Sequence, residues 1–181
     1  VSATEDRLSS VERDLLRDRF ADFERAVLQD NIALCDTKAG LLLAFTGAMV
    51  IFCIDAFVTA HAAPGAYQQF VAETMRGLFA IAAIGFLASA QFSLTTVLPR
   101  MVRGSADHVF WESPVFKLPV ERYVAEMASL DPTVERDDKL RHLHLQAGIC
   151  RRKFGHFSTA MRLAQLAFVA LVIGEVLRVV G

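Results

Sequence analysis

Between Lys38 and Asp55 the chain carries no charge for sixteen residues, and Leu, Ala, Phe, Val, Met and Ile dominate that run. A helix can cross hydrocarbon because its backbone groups bond internally, and about 20 apolar residues match a core about 30 Å thick. Ala39 to Ala60 has that length. A charged segment without Pro or Gly, residues 5–38, leads into it. One helix is therefore expected to pass from water into the membrane without a break. At 1.5 Å per residue, fifty residues would extend about 75 Å, roughly 45 Å of it outside the lipid.

Two more apolar runs follow. Gly77 to Leu98 has no ionisable residue and ends at Pro99-Arg100, and residues 159–181 form the third. The chain is 54% hydrophobic with a mean hydropathy of +0.37, yet most of its 39 acidic and basic side chains lie in residues 5–38 and 100–153. Segregation of this kind predicts an all-α membrane protein with three transmembrane helices. The first and third extend as long helices into a cytoplasmic helical region. The expected segments are a cytoplasmic helix (1–38), a first span (39–60), an outer loop around Pro64-Gly65 (61–76), a second span (77–98), a cytoplasmic helical region (99–158) and a third span (159–181).

Lys and Arg set the orientation. Residues 1–40 carry six, the small loop carries Arg76 alone, and residues 100–158 carry ten. By the positive-inside rule the N-terminus and the central region are cytoplasmic, and the loop and C-terminus lie outside. The first span follows a segment richer in acids than bases, unlike a secretory signal, so it is expected to persist in the mature protein. Cys35, Cys53 and Cys150 are read as free thiols. A net charge of −1 gives no global field for nucleic acid, so an anion site must be a local basic cluster.

Leu16, Phe20, Phe23, Val27 and Leu34, interrupted by Asp30, make one apolar stripe on the first helix. Leu140, Leu143, Ala147, Cys150, Phe154 and Phe157 recur at heptad spacing ahead of the third span. These faces are natural partners, within the chain or between subunits, and a homo-oligomer is expected. Between them Phe110, Trp111 and Phe116 give the connection an apolar load, and Pro119 opens a short helix with Val120, Tyr123, Val124 and Met127 on one face. In the spans, Gly85, Ser89 and Ser93, with Ala44, Ala48, Ala170 and Gly174, are small residues suited to close helix packing.

Asp36 and Lys38, Arg100 and Arg103, and Arg151, Arg152 and Lys153 all converge on the inner membrane face. This basic collar suits an anionic ligand or phosphate, and equally suits anchoring to anionic membrane lipids. Asp36 does not fit lipid anchoring, and is expected to bond Arg151, Arg152 or Lys153 and so fix the crossing of the first and third helices. Within the apolar runs, Asp55, Glu175 and Arg178 form an intramembrane polar group, either lining a regulated pore or neutralised by pairing and snorkelling. His142, His144, Cys150 and His156 lack metal-ligand spacing, and neither a nucleophile motif nor a phosphate-binding glycine pattern occurs. No catalytic residue, metal or cofactor is assigned, and the chain is read as no enzyme.

The run Asp36-Thr37-Lys38-Ala39-Gly40-Leu41-Leu42-Leu43 resembles the D-x-K-A-x-x-L-L signature that opens the transmembrane effectors of Pycsar, a bacterial antiphage system based on cyclic pyrimidine nucleotides. The likeness continues through Leu98-Pro99-Arg100, Val109-Phe110-Trp111, the Tyr123 to Leu130 helix and Arg151-Arg152-Lys153-Phe154. Gly40 stands where the family often has Ser, and no cyclic-nucleotide-binding barrel is recognisable. The resemblance implies an effector of the bacterial inner (plasma) membrane. A partner cyclase makes cyclic CMP or cyclic UMP on infection, and the effector then impairs the membrane in an abortive response. The residues alone also fit a constitutive membrane scaffold or interaction protein whose basic collar only anchors lipid.

Overall fold

The structure, a computed structural model, describes residues 10–60, 66–98, 118–129 and 131–180. Four helices account for nearly all of them, with no strand among the described residues: α1 (Ser10–Thr59), α2 (Ala66–Val97), α3 (Val120–Ala128) and α4 (Pro132–Val180). Three of these, α1, α2 and α4, are long and apolar enough to cross a membrane. The chain is an all-α protein of the membrane-spanning class.

The helix boundaries follow local chemistry. Pro132 takes the first helical position of α4, where its missing N–H costs nothing. Asp131 caps the turn: its Oδ1 accepts from the Thr133 amide at 2.8 Å and from the Thr133 hydroxyl at 2.7 Å. Those donors, the hydroxyl first, hold the Asp131 carboxyl below its ordinary value. Helix α2 begins at Ala66, so residues 66–76, read from the sequence as outer loop, are helical. Pro64-Gly65 is a turn signal in the sequence just before it, and a helix need not start at a membrane boundary.

The chain divides into two compact units. The first comprises Val1–Ile32 with Arg100–Cys150, and the second Ala33–Pro99 with Arg151–Gly181.

In the second unit the usual distribution of residues is inverted. Ile51, Val58, Ile81, Ile84 and Leu166 are exposed, while Ala39, Ala56, Ala82, Ala160, Ala164 and Ala167 are buried. Lipid is as apolar as leucine, so packing rather than hydrophobicity selects what lies between the helices, and small residues pack closest. The buried positions advance by alternating steps of three and four on every helix. On α1 they run Cys35, Ala39, Leu42, Thr46, Met49, Cys53 and Ala56, with Met49 half-buried, and Ala60 just past its end continues the series. On α2 they are Ala72, Met75, Phe79, Ala82, Phe86, Ser89, Ser93 and Thr96. On α4 they are Lys153, Phe157, Ala160, Ala164, Ala167, Leu171 and Gly174, the first two half-buried. A repeat of 3.5 is the signature of left-handed knobs-into-holes packing. Two glycines are required by it. A Cβ at Gly85 would lie 2.8 Å from the Ala167 Cβ, and one at Gly174 would lie 2.8 Å from the Phe79 ring.

The α4 seam corrects half of the sequence pattern. Leu143 and Cys150 are buried and Phe157 half-buried, but Leu140, Ala147 and Phe154 are exposed. The alternate seam positions go to Gln146 and Lys153, polar residues that periodicity in apolar residues passes over. Ala44 and Ala48 are likewise exposed, so the close packing of α1 runs through Cys35, Ala39, Thr46 and Cys53 instead.

In the first unit, Ala21 on α1 and Leu143 on α4 are buried, and Lys139 bonds Asp22 at 2.7 Å. The stripe of Leu16, Phe20, Phe23 and Val27 is exposed, beside the buried face rather than on it. On α3, Val120 and Val124 are exposed and Tyr123 is half-buried. The side chain of Met127, and the segment with Phe110, Trp111 and Phe116, lie outside what is described.

Candidate functional site

The end of the second unit that carries Asp36 and Lys153 concentrates its polar chemistry. Asp36 follows the buried Cys35 on α1, and Lys153 occupies a seam position of α4. The Lys153 ammonium donates to both Asp36 oxygens, at 2.5 and 2.7 Å. The Asp36 side chain is 33% exposed and that of Lys153 14%, so the pair is only partly hydrated. Of the three partners the sequence offered Asp36, the geometry selects Lys153. One turn on, the seam closes with Ala39 and Phe157.

A rise of 1.5 Å per residue puts Lys38, Arg151 and Arg152 within about one turn of this pair. All three are exposed. Arg100 and Arg103 lie outside the described residues. Among the described residues, Lys153 is clamped on Asp36, and Lys38, Arg151 and Arg152 are exposed. An anion arriving there meets Lys38, Arg151 and Arg152 first, and reaches Lys153 only by competing with Asp36.

Next to the clamp, the bundle interior is hydroxyl-bearing. Thr46, Ser89, Ser93 and Thr96 are all fully buried. Ser89 Oγ donates across to the Ala160 carbonyl at 2.7 Å, joining α2 to α4. Thr46 and Thr96 donate back to the carbonyls of Leu42 and Phe92, each at 2.9 Å. Ser93 Oγ is buried without a hydrogen-bond partner. Phe92 stacks at a tilt on His156, with ring centroids 6.0 Å apart. Sequence reasoning took Ser89 and Ser93 as merely small and did not single out Thr46 or Thr96. Their spacing of three and four on the packed face was the available signal, obscured because exposed faces are equally rich in small residues.

The opposite end is apolar. Glu175 is half-buried and lies 3.5 Å from Arg178, within ion-pair reach but long for a hydrogen bond, so its Oε1 remains without a hydrogen-bond partner. A groove of about 510 Å³ runs beside it, walled by Met49, Phe52, Leu171 and Val176. Asp55 is exposed, and among the described residues no ion pair links it to Glu175 or Arg178. Of the two readings the sequence offered, a pore lining or a Glu175–Arg178 ion pair with snorkelling, the structure shows the pair and leaves Asp55 out of it. No group of three or more His, Cys, Asp or Glu among the described residues is placed to hold a metal ion.

Neither the curated proteins nor the solved structures yield a match to the chain. A family model does: PycTM, the Pycsar effector protein domain, matches residues 20–178. That stretch takes in all of α2, most of α1 and α4, the Asp36–Lys153 clamp and the hydroxyl-lined seam. The chain belongs to the Pycsar effector protein domain family, membrane proteins of antiphage defence.

Proposed function

We propose that this protein is an inner-membrane effector that senses a cyclic pyrimidine nucleotide, cyclic CMP or cyclic UMP, and then impairs membrane integrity, halting the infected cell. In this reading the N-terminus and the Asp36–Lys153 end face the cytoplasm, and the C-terminus lies outside. The observation that carries it is the clamp with exposed cations beside it. Lys38, Arg151 and Arg152 present an anion-attracting face, and Lys153 ties the same face to the packing of α1 on α4.

A cyclic nucleotide carries one phosphate charge, which guanidinium and ammonium groups hold by charge-assisted hydrogen bonds. Drawn to Lys38, Arg151 and Arg152, the phosphate competes with Asp36 for Lys153. Release of the clamp loosens α1 from α4 at the end where Ser89, Ser93 and Thr96 line the interior, and those hydroxyls accept water that an alanine seam would refuse. Inverting a 1:99 equilibrium requires that the ligand prefer the open form by about 10⁴, or about 5.5 kcal/mol. Micromolar affinity corresponds to about 8 kcal/mol, and it opens the clamp only where about 5.5 kcal/mol of that is withheld from the closed form.

Calorimetry on the purified protein with cyclic CMP and cyclic UMP tests this. Arg151→Ala with Arg152→Ala is expected to abolish binding while membrane insertion persists. Unchanged binding would remove the collar from the mechanism. The exposure of Arg151 and Arg152 also suits a lipid-anchored scaffold, for which neither nucleotide would bind the parent protein.

A further inference from the structure

The first unit presents a second seam that the described residues leave unfilled. Leu16, Phe20, Phe23 and Val27 follow the same steps of four and three as the buried positions, but one face over, with Phe20 60% and Phe23 65% exposed. Together the two rings leave on the order of 250 Å² of aromatic surface in water. They do not stand alone: with Leu28 of α1 and Leu140, Leu143, His144 and Ala147 of α4 they wall a groove of about 550 Å³. An apolar patch of this kind, rimmed by charge, marks an interaction surface. Its heptad spacing specifies a helix as the occupant.

The rim identifies which helix. A neighbouring hollow of about 590 Å³ shares Phe20, Glu24 and Leu140, and its charged lining is Arg17, Asp18, Glu24, Arg136, Asp137 and Lys139. Three acids balance three bases. A nucleic acid or an anionic lipid surface would be matched by a basic rim, and a basic peptide by an acidic one. A balanced rim matches a partner equally balanced, and α1 itself is such a helix between positions 17 and 25, where Arg17, Arg19 and Arg25 balance Asp18, Asp22 and Glu24. Insertion in one membrane also holds every copy in a common orientation, so the α1 segments of neighbours run parallel, as a heptad seam needs.

We infer that the face formed by Leu16, Phe20, Phe23 and Val27 with Leu140 is the self-association surface, occupied by α1 of a second copy of this chain. The inference rests on the membrane reading but not on the nucleotide, and it assigns assembly to the water-exposed part of the helices rather than to the small-residue faces in the lipid. The packing of the spans within one chain already uses Gly85, Ser89, Ser93 and Gly174.

Site-directed cross-linking of the full chain in native membranes tests it without added nucleotide. Phe23→Cys under mild oxidation should give a species of twice the mass, at least tenfold above Gln29→Cys, whose position is exposed on the far face. The native cysteines Cys35, Cys53 and Cys150 are buried and serve as background in the parent protein. Phe20→Asp with Phe23→Asp alters only exposed side chains, so it should insert normally and lower the subunit count from photobleaching steps to one. Cross-linking at Phe23→Cys no stronger than at Gln29→Cys would overturn the inference. So would quenching of a probe at position 23 by brominated lipid, which would assign it to the membrane. Because none of these readouts involves nucleotide, failure here leaves the ligand mechanism standing, and the reverse also holds.

Discussion

Removing Lys153 isolates the interaction on which the gating account turns. At about 3 Å and an effective dielectric of about 20, the attraction between its ammonium and the Asp36 carboxylate is about 5 kcal/mol. Both groups give up water to form it, and a third of the Asp36 side chain remains wet, so less than half survives as net coupling, about 2 kcal/mol. Lys153→Met strands the carboxylate against Cys35 and Ala39, and should cost about 2–3 kcal/mol of bundle stability. Asp36→Asn with Lys153→Met should cost much less than the two single variants together. A double-mutant cycle on reversible unfolding in bicelles, titrated with sodium dodecyl sulfate, measures the difference directly. The expected coupling of about 2 kcal/mol is about a thirtyfold change in equilibrium constant. A coupling below about 0.5 kcal/mol would refute the argument, because a contact that weak holds nothing closed.

Three further outcomes follow from the packing and the caps. Gly85→Leu drives a side chain into Ala167 and should destabilise the second unit by about 1–3 kcal/mol in the same assay, whereas Gly47→Leu, with nothing within 4 Å of its Cβ position, should not. Ser89→Ala loses the hydrogen bond to Ala160 and should cost about 0.6 kcal/mol, up to about 1.7, while Ser93→Ala removes an unpartnered hydroxyl and should be neutral or slightly stabilising. The Asp131 carboxyl is held below 3.8 by the Thr133 donors, so its contribution to the start of α4 is complete above that value and is lost as pH falls through the lowered one. Hydrogen exchange at the Val134 and Glu135 amides should show that loss, and Asp131→Asn, which still accepts but does not titrate, should flatten it.

The three long apolar helices were legible because lipid imposes length and the absence of charge, and both can be counted along 39–54 and 77–98. The Asp36 bond was half legible: a carboxylate among bases needs a partner, but choosing Lys153 over Arg151 or Arg152 requires knowing which side of α4 faces α1. That side was misjudged. Leu140, Ala147 and Phe154 look like seam residues because they are apolar, yet Gln146 and Lys153 occupy the seam, and Lys153 can do so only because Asp36 meets it there. The same dependence hid the hydroxyl-lined interior. In water, burial separates apolar from polar residues, whereas in lipid it separates small from large, and in helices this rich in alanine small residues occur on every face. Exposed Phe20 and Phe23 were read as apolar in need of a partner; that α4 leaves them uncovered depends on a rotation of about one residue, below what periodicity resolves.

Membrane potential in bacterial cells carrying this chain with a pyrimidine nucleotide cyclase, followed by a voltage-sensitive dye, addresses the central claim most directly. The account predicts depolarisation only when the chain and an active cyclase are present together. Depolarisation by the chain alone, or an unchanged potential with both present, would contradict it.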